Sequence, residues 1–333
     1  MRSRSLTVQC AAWALALVGA ARAEEPPHTC RYVREGTIPA QWVDERLRMQ
    51  GAINGLPARL IVDTGAQLLT LARGAAERWK LSLSHVDDTT VGAGGESEVY
   101  RTVVRELDLG PVTWHRVTLD VAWQSGDQPD FDLLVAANFL FQRDVEFSPA
   151  DGRLTFFSPR DCDEARLSYW DADAVTVEMH PLGPSDWRQV IPVIVGGKTV
   201  RALIDSGSPW SVVDAALANS IGLQASTKTS QVGGIGTHSV AARTTTLPAI
   251  DIGAERISNL PVLVQDLWGP AAADLHQFGF SDWARDQFQV ILGANFIREH
   301  RLLFALSQRK LYLSYLGPVS TPAPAGPPVT PAD

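Results

Sequence analysis

The sequence lacks the residue patterns of two large classes of hydrolase. Its seven histidines and three cysteines show neither His-Glu-x-x-His nor Cys-x-x-Cys spacing, so a zinc site is not expected. No Gly-x-Ser-x-Gly segment is present, which argues against the nucleophile elbow of the serine hydrolases. We therefore expect a function that requires no metal and no other cofactor.

Net positive charge and long apolar runs are also missing. The 333 residues carry a net charge of −8, and an acidic protein is a poor partner for nucleic acid. The apolar run at residues 11–18 is too short to span a bilayer, so no membrane span is expected. Helical patterns are confined to short pieces such as residues 75–79 and 214–218, whereas alternating patterns such as residues 112–119 predict a mostly β fold.

Residues 1–23 have the three parts of a secretory signal peptide. Arg2 and Arg4 precede the apolar run, and small residues up to Ala23 form a cleavage site. An uncleaved helix is the alternative. Cleavage near Ala23 removes three arginines and no acidic residue, which takes the net charge from −8 to −11. The mature chain is then expected to be exported, either to the periplasm or out of the cell.

The mature chain retains two cysteines, Cys30 and Cys162. An even number of cysteines in an exported protein favours a disulfide. Two free thiols are the alternative. The bridge would tie the mature N-terminus to the segment that follows residue 158.

One short phrase occurs twice, at residues 60–66 (LIVDTGA) and again at residues 202–208 (ALIDSGS). Each copy follows a tight-turn signal, Asn-Gly at 54–55 and Gly-Gly at 196–197, and the aspartate lies at the same distance from the turn glycine in both copies. Because turns favour Asp, Ser, Thr and Gly, one such tripeptide carries little information. Its repetition with matched surroundings carries much more.

Two further features recur in the same order after each aspartate. A glycine-rich loop lies at residues 92–95 and again at 233–236, and an Ala-Asn-Phe motif closes the segments 135–139 and 292–296. Four matched features indicate an internal repeat of about 130 residues.

The repeat divides the chain into six regions. We predict a signal peptide at residues 1–23, an N-terminal segment at 24–45, a first lobe at 46–158, a linker at 159–186, a second lobe at 187–316 and a disordered proline-rich tail at 317–333.

Three of these predictions have alternatives or details of their own. The N-terminal segment is either a short propeptide over the groove or an edge strand between the lobes. The linker includes one strand near residues 175–179. The second lobe has about 15 extra residues, within 266–289, whose aromatic side chains either line a substrate groove or pack onto their own lobe.

The two aspartates, Asp63 and Asp205, can perform acid–base chemistry if the lobes bring them together. Two adjacent carboxyl groups share one proton over a wide pH range. The ionised member can then take a proton from water while the protonated member donates to a carbonyl oxygen. Thr64 and Ser206 offer hydroxyls that hold the two loops in register, and Gly65 and Gly207 permit a tight backbone.

These loops, with the glycine-rich segments and the motif at 292–296, resemble the retropepsin and pepsin group of aspartic peptidases, particularly bacterial retropepsin-like members. The resemblance covers residues 46–316 and implies two closed β-barrel lobes on one chain, hence a monomer. It implies that Asp63 and Asp205 are catalytic and that an extended polypeptide lies under two flaps. The flap candidates are Gly92, Gly94, Gly95, Gly233, Gly234 and Gly236.

The chain departs from the family pattern in two places. Ala136 stands where the second lobe has Gly293, and its methyl group is either absorbed or displaces the first catalytic loop. Ser208 stands where the first lobe has Ala66. A hydroxyl of Ser208 that bonded the carboxylate of Asp205 would lower its pKa and leave the proton on Asp63.

Two interpretations of the function follow. The first is an aspartic endopeptidase that hydrolyses peptide bonds with water activated between Asp63 and Asp205. The alternative is a catalytically silent bilobal protein that binds an extended peptide as an added strand in the periplasm. Retention of both aspartates favours the enzyme.

Tyr100 follows the first glycine-rich segment. It is either a flap tyrosine or a surface residue of a strand.

Overall fold

The computed structural model describes residues 29–43, 45–92, 95–122, 131–236, 239–268 and 287–318. The predicted signal peptide, residues 319–333 of the predicted tail and residues 269–286 of the predicted insertion lie outside these ranges. Within the described part, no helix has the length and apolar character needed to cross a membrane.

Strands dominate the described residues, which confirms the predicted mostly β class. In chain order they are β1 (Arg31–Val43), β2 (Arg46–Ile53), β3 (Leu56–Asp63), β4 (Thr70–Ala72), β5 (Ser84–Gly92), β6 (Gly95–Leu109), β7 (Val112–Ala122), β8 (Leu133–Ala136), β9 (Asp144–Ser148), β10 (Arg153–Arg160), β11 (Val175–Glu178), β12 (His180–Pro181), β13 (Gln189–Val195), β14 (Lys198–Ile204), β15 (Ser211–Asp214), β16 (Thr229–Val232), β17 (Val240–Ile252), β18 (Glu255–Gln265), β19 (Val290–Leu292), β20 (His300–Ala305) and β21 (Lys310–Tyr315).

The helices are short, as the sequence predicts. In the part of the chain that the structure describes they are α1 (Arg73–Arg78), α2 (Ala137–Leu140), α3 (Ala215–Ser220), α4 (Ala294–Ile297) and one 3₁₀ turn, Pro149–Asp151. Helix α3 begins after Asp214, whose carboxylate accepts hydrogen bonds from the backbone N–H groups of Ala216 and Leu217 at 2.9 and 3.3 Å. This side chain therefore caps the free N–H groups that begin the helix.

Each repeat forms a closed barrel of six strands. The first runs β2-β3-β8-β4-β7-β6 and closes where β6 pairs with β2. The second runs β13-β14-β19-β15-β18-β17 and closes where β17 pairs with β13. The strands correspond one to one in the two orders, so the internal repeat predicted from the sequence is a structural repeat, and the bilobal fold is confirmed.

A third sheet joins the lobes and runs β11-β21-β20-β9-β10-β1. Strands β9 and β20, one from each repeat, pair at its centre. The ring of Phe304 on β20 lies 4.9 Å from that of Phe141 and 5.2 Å from that of Phe147. Burial of this apolar surface gives the two lobes a common core.

The N-terminal segment belongs to this sheet. Strand β1 pairs with β10 along most of its length and then with β2 of the first barrel. Of the two predicted alternatives, the strand between the lobes is the one found. The strand predicted within the linker is also present, as β11, and pairs with β21.

The two tight turns set the register that brings the aspartates to the ends of their strands. Asn54 and Gly55 have φ of 53° and 78°, and Gly196 and Gly197 have φ of 56° and 76°. Positive φ at both central residues matches the twist of two-residue hairpins. The strands after the turns run inward, and residues 60–62 are fully buried before Asp63.

A disulfide joins Cys30 to Cys162, as predicted from the cysteine count. It holds the start of β1 against the segment that follows β10. Beneath the interlobe sheet this segment covers a small separate core that includes Phe157, Leu167 and Tyr312.

Candidate active site

The two aspartates lie at equivalent places in the two barrels. Asp63 ends β3, which runs parallel to β8. Asp205 follows β14, which runs parallel to β19, and its N–H donates to the carbonyl oxygen of Leu292 at 3.0 Å. Both loops reach the boundary between the lobes, where they contact each other.

Four crossed hydrogen bonds lock the loops together. The hydroxyl of Thr64 donates to the carbonyl of Ile204 at 2.7 Å and accepts from the N–H of Ser206 at 3.0 Å. The hydroxyl of Ser206 donates to the carbonyl of Val62 at 2.8 Å and accepts from the N–H of Thr64 at 3.1 Å. Thr64 and Ser206 are fully buried, so each bond forms away from competing water.

The glycines let the loops approach within contact distance. A Cβ on Gly65 would lie 2.2 Å from Cγ of Asp205, and a Cβ on Gly207 would lie 2.2 Å from Cγ of Asp63. Each glycine therefore packs against the carboxyl group of the opposite lobe. A side chain at either position would force the two carboxyl groups apart.

Backbone amides orient both carboxyl groups in the same way. One oxygen of Asp63 accepts from the N–H groups of Gly65 and Ala66, both at 2.9 Å. One oxygen of Asp205 accepts from Gly207 at 2.9 Å and from Ser208 at 3.1 Å. The second oxygen of each group is left for the partner carboxyl group and for ligands.

The two carboxyl groups do not share charge equally. Burial raises the pKa of both, and for Asp63 the negative charge of Asp205 raises it further. The hydrogen bond between the two groups raises the pKa of Asp63 and lowers that of Asp205. The positive charge of Arg46 also acts to lower the pKa of Asp205, so both effects favour the proton on Asp63.

The predicted role of the Ser208 hydroxyl is wrong. This hydroxyl donates to the carbonyl oxygen of Trp210 at 2.7 Å, which turns it away from the carboxylate of Asp205. Ser208 supports the loop through its backbone N–H instead. A hydroxyl next to an aspartate can satisfy a backbone acceptor just as well as the carboxylate, which is why its sequence position did not reveal its partner.

The recurring Ala-Asn-Phe motif supports the two aspartate loops. Asn138 accepts from the N–H of Leu69 at 3.1 Å, and Asn295 accepts from both the N–H and the hydroxyl of Ser211 at 2.8 Å. In the sequence this motif indicates only repetition. Its position after each inner strand was the available signal that these asparagines hold the loops.

A comparison with protein-family models agrees with this geometry. The model described as aspartyl protease matches residues 49–139 and 191–296, which together make up more than half of the chain. The chain belongs to the aspartyl protease family. The two matched segments correspond to the two barrels.

The chain is also similar to solved structures, at low sequence identity. An aspartic proteinase from Irpex lacteus matches with a TM-score of 0.50 and 15% identity over 84% of this chain and 97% of that one. Basic 7S globulin from soybean matches with a TM-score of 0.44 and 12% identity over 86% and 96%. The first of these shows the bilobal fold. No curated protein matches the sequence significantly.

Within the aspartyl protease fold, the departure at Ala136 is absorbed. The loop of Asp63 makes the same two backbone hydrogen bonds as the loop of Asp205, with nearly the same lengths. The equivalent position in the second lobe, Gly293, has no space for a methyl group. A Cβ there would lie 2.4 Å from the carbonyl carbon and oxygen of Trp210. The two lobes therefore differ in how closely the next loop approaches this position.

The glycine-rich segments form one hairpin from each lobe. Strands β5 and β6 pair up to Gly92 and Gly95, and Gly94 lies outside the described residues. Gly233, Gly234 and Gly236 lie in the turn between β16 and β17. A Cβ on Gly92 would lie 2.5 Å from the carbonyl oxygen of Ile235, so the two hairpins touch each other.

Two of the aromatic residues singled out in the sequence, Tyr100 and Trp268, lie in the described part of the chain. Tyr100 lies on β6, where its hydroxyl donates to Glu98 at 3.1 Å and its ring stacks beneath Arg73 at 4.5 Å. Trp268 packs against Phe288 with ring centres 4.8 Å apart, which places it on its own lobe. The other aromatic residues predicted for the insertion, Phe278, Phe280 and Trp283, lie outside the described residues.

Among the residues that the structure describes, no group of His, Cys, Asp and Glu could hold a metal ion.

Proposed function

We propose that this protein is an aspartic endopeptidase in which Asp63 and Asp205 are the catalytic pair. The observation that carries the proposal is the crossed set of hydrogen bonds through Thr64 and Ser206. These bonds hold two carboxyl groups from separate lobes in one fixed arrangement. Membership of the aspartyl protease family supports the same conclusion.

The opposite effects on the two pKa values support different roles for the two aspartates, with Asp205 as the base and Asp63 as the acid. Ionised Asp205 takes a proton from a water molecule, and the resulting hydroxide attacks the peptide carbonyl carbon. Protonated Asp63 donates its proton to the carbonyl oxygen, which gives a neutral tetrahedral gem-diol. Return of a proton to the leaving amine breaks the C–N bond, and the reaction needs neither a metal nor a covalent intermediate.

The substrate is an extended polypeptide that lies between the lobes beneath the two hairpins. The contact between Gly92 and Ile235 supports this role, because paired hairpins from both lobes must separate to admit a chain. We also propose that residues 1–23 direct export, and that the protein acts as a monomer in the periplasm or outside the cell. The disulfide between Cys30 and Cys162 fits an oxidising compartment.

The test is cleavage of a mixed peptide library by the purified mature protein across pH 3 to 7. We expect cleavage that pepstatin inhibits and that either Asp63→Asn or Asp205→Asn abolishes. Asp173→Asn, an exposed aspartate outside the site, is the matched control and should retain full activity.

Peptide binding separates this proposal from the silent binding protein. If the wild type cleaves nothing at any pH but binds library peptides, and both asparagine variants bind equally well, the enzymatic proposal is overturned. A catalytic pair predicts a different result. The wild type should cut the peptides, whereas the asparagine variants should bind them and leave them intact.

A further inference from the structure

The internal repeat places two arginines at equivalent positions. Arg46 precedes Asp63 by the same interval in sequence that separates Arg188 from Asp205. Arg46 begins β2, and Arg188 directly precedes β13, the corresponding strand of the second barrel. A symmetric molecule would give both guanidinium groups the same surroundings.

Among the described residues, the two arginines have different partners. The guanidinium of Arg188 forms a bidentate ion pair with the carboxylate of Asp186. Its Nε lies 3.0 and 3.1 Å from the two oxygens, and its Nη2 lies 2.6 Å from one of them. Both side chains of this pair are mostly buried, at 25% and 14% exposure. Such a bidentate pair neutralises the cation and fixes its direction.

Arg46 instead reaches across the lobe boundary. Its Nη1 donates to the carbonyl oxygen of Gly207, the glycine that packs against Asp63 and whose N–H orients the carboxylate of Asp205. The residue equivalent to Asp186 is Asp44, which lies outside the described residues. A positive charge from the first lobe therefore stands beside the aspartate of the second.

The charges that act on the pair come from both lobes. Asp63 and Arg46 lower the pKa of Asp205, the first through a hydrogen bond and the second through its positive charge. The charge that acts most strongly on Asp63 is that of Asp205. Glu45 and Arg48 are the nearest charged neighbours of Arg46 along the described chain, and β1, which pairs with β2 here, presents Val43 opposite Arg46.

We propose that Arg46 is a positioning residue that keeps the negative charge of the aspartate pair on Asp205 and the proton on Asp63. Arg188 is paired with Asp186 instead, and this carboxylate neutralises its charge. This inference rests on the proposed function, since it assigns the base to Asp205 and the acid to Asp63. It also explains how nearly symmetric loops produce two different roles.

The first test is the pH dependence of kcat/KM for Arg46→Gln, with Arg188→Gln as the matched control. Loss of the cation raises the pKa of Asp205, so the ionised base survives only at higher pH. We expect the acidic limb of the profile to move up by about one pH unit in Arg46→Gln and to stay in place in Arg188→Gln. Arg46→Lys, which keeps the charge, should restore most of the wild-type profile.

A second readout needs no activity. The ¹³Cγ resonances of labelled aspartates report the titration of Asp63 and Asp205 directly. An upward shift of the Asp205 titration in Arg46→Gln, with no change in Arg188→Gln, supports the proposal even if no substrate is cleaved; absence of cleavage then counts against the proposed function only. Unchanged titrations in Arg46→Gln, or equal shifts in both variants, would overturn the role of Arg46. If Arg46→Gln does not fold, Arg46→Met is titrated instead with the same two outcomes.

Discussion

Replacement of Thr64 by valine tests whether the crossed hydrogen bonds hold the two lobes together. Valine has nearly the same shape as threonine, so the packing around position 64 changes little. The hydroxyl, however, takes part in two bonds, to the carbonyl of Ile204 at 2.7 Å and from the N–H of Ser206 at 3.0 Å. In the variant both of these backbone groups lose their partner at a fully buried position.

The expected loss of stability follows from those two groups. Each buried polar group without a partner costs about 1–3 kcal/mol, so Thr64→Val should lower the free energy of unfolding by about 2–6 kcal/mol. For a chain of this size that corresponds to a melting temperature lower by roughly 5–15 °C. Activity should fall more steeply, because the hydroxyl also fixes the separation of the two carboxyl groups.

Calorimetry and peptide cleavage measure the two effects. Thr64→Ser is the control, since serine keeps both hydrogen bonds and removes only a methyl group. Ser206→Ala should resemble Thr64→Val, because the hydroxyl of Ser206 makes the equivalent two bonds. Wild-type melting of Thr64→Val, or equal destabilisation of Thr64→Ser, would refute the reasoning.

Two further predictions concern the lobes and the aspartate pair. Gly293→Ala should destabilise the protein by about 1–3 kcal/mol, because the new methyl group meets the backbone of Trp210. Ala136→Gly, the reverse change in the first lobe, should cost about 1 kcal/mol or less. Equal melting temperatures of the two variants would contradict this prediction. Burial and Asp205 raise the pKa of Asp63 from 3.8 to about 8, so the folded state binds this proton more tightly and wild-type stability falls as the pH rises through that interval. Asp63→Asn should therefore melt above the wild type at pH 7, with the difference closing towards pH 3, and a constant difference across the series would contradict the shift.

The parts of the fold that could be predicted depend on local sequence. The turns before each aspartate require positive φ, which Asn-Gly and Gly-Gly supply, and alternation along residues 112–119 reflects the half-buried face of β7. The repeat then made the second barrel predictable from the first. The disulfide could be predicted because the chain keeps an even pair of cysteines once the predicted signal peptide is removed.

The parts that could not be predicted depend on which atoms meet across the lobes. The hydroxyl of Ser208 had several acceptors within reach, and the folded backbone directs it to Trp210. Arg46 precedes Asp63 in the sequence of the first lobe but contacts the loop of Asp205 in the second. No periodicity or motif marks such a contact, since it exists only once both barrels have formed.

The same distinction explains how a duplicated structure can support chemistry that is not symmetric. The repeat supplies what both halves need in common, namely a carboxyl group, two amides that orient it and a hydroxyl that reaches the other loop. Peptide hydrolysis also needs one base and one acid, so the two halves must differ in charge. That difference comes from side chains at the start of the inner strands, where Asp186 neutralises Arg188 and Arg46 extends to Gly207. In the mechanism that we propose, one cation at the edge of the repeat, rather than the aspartate loops themselves, sets the acid and base roles.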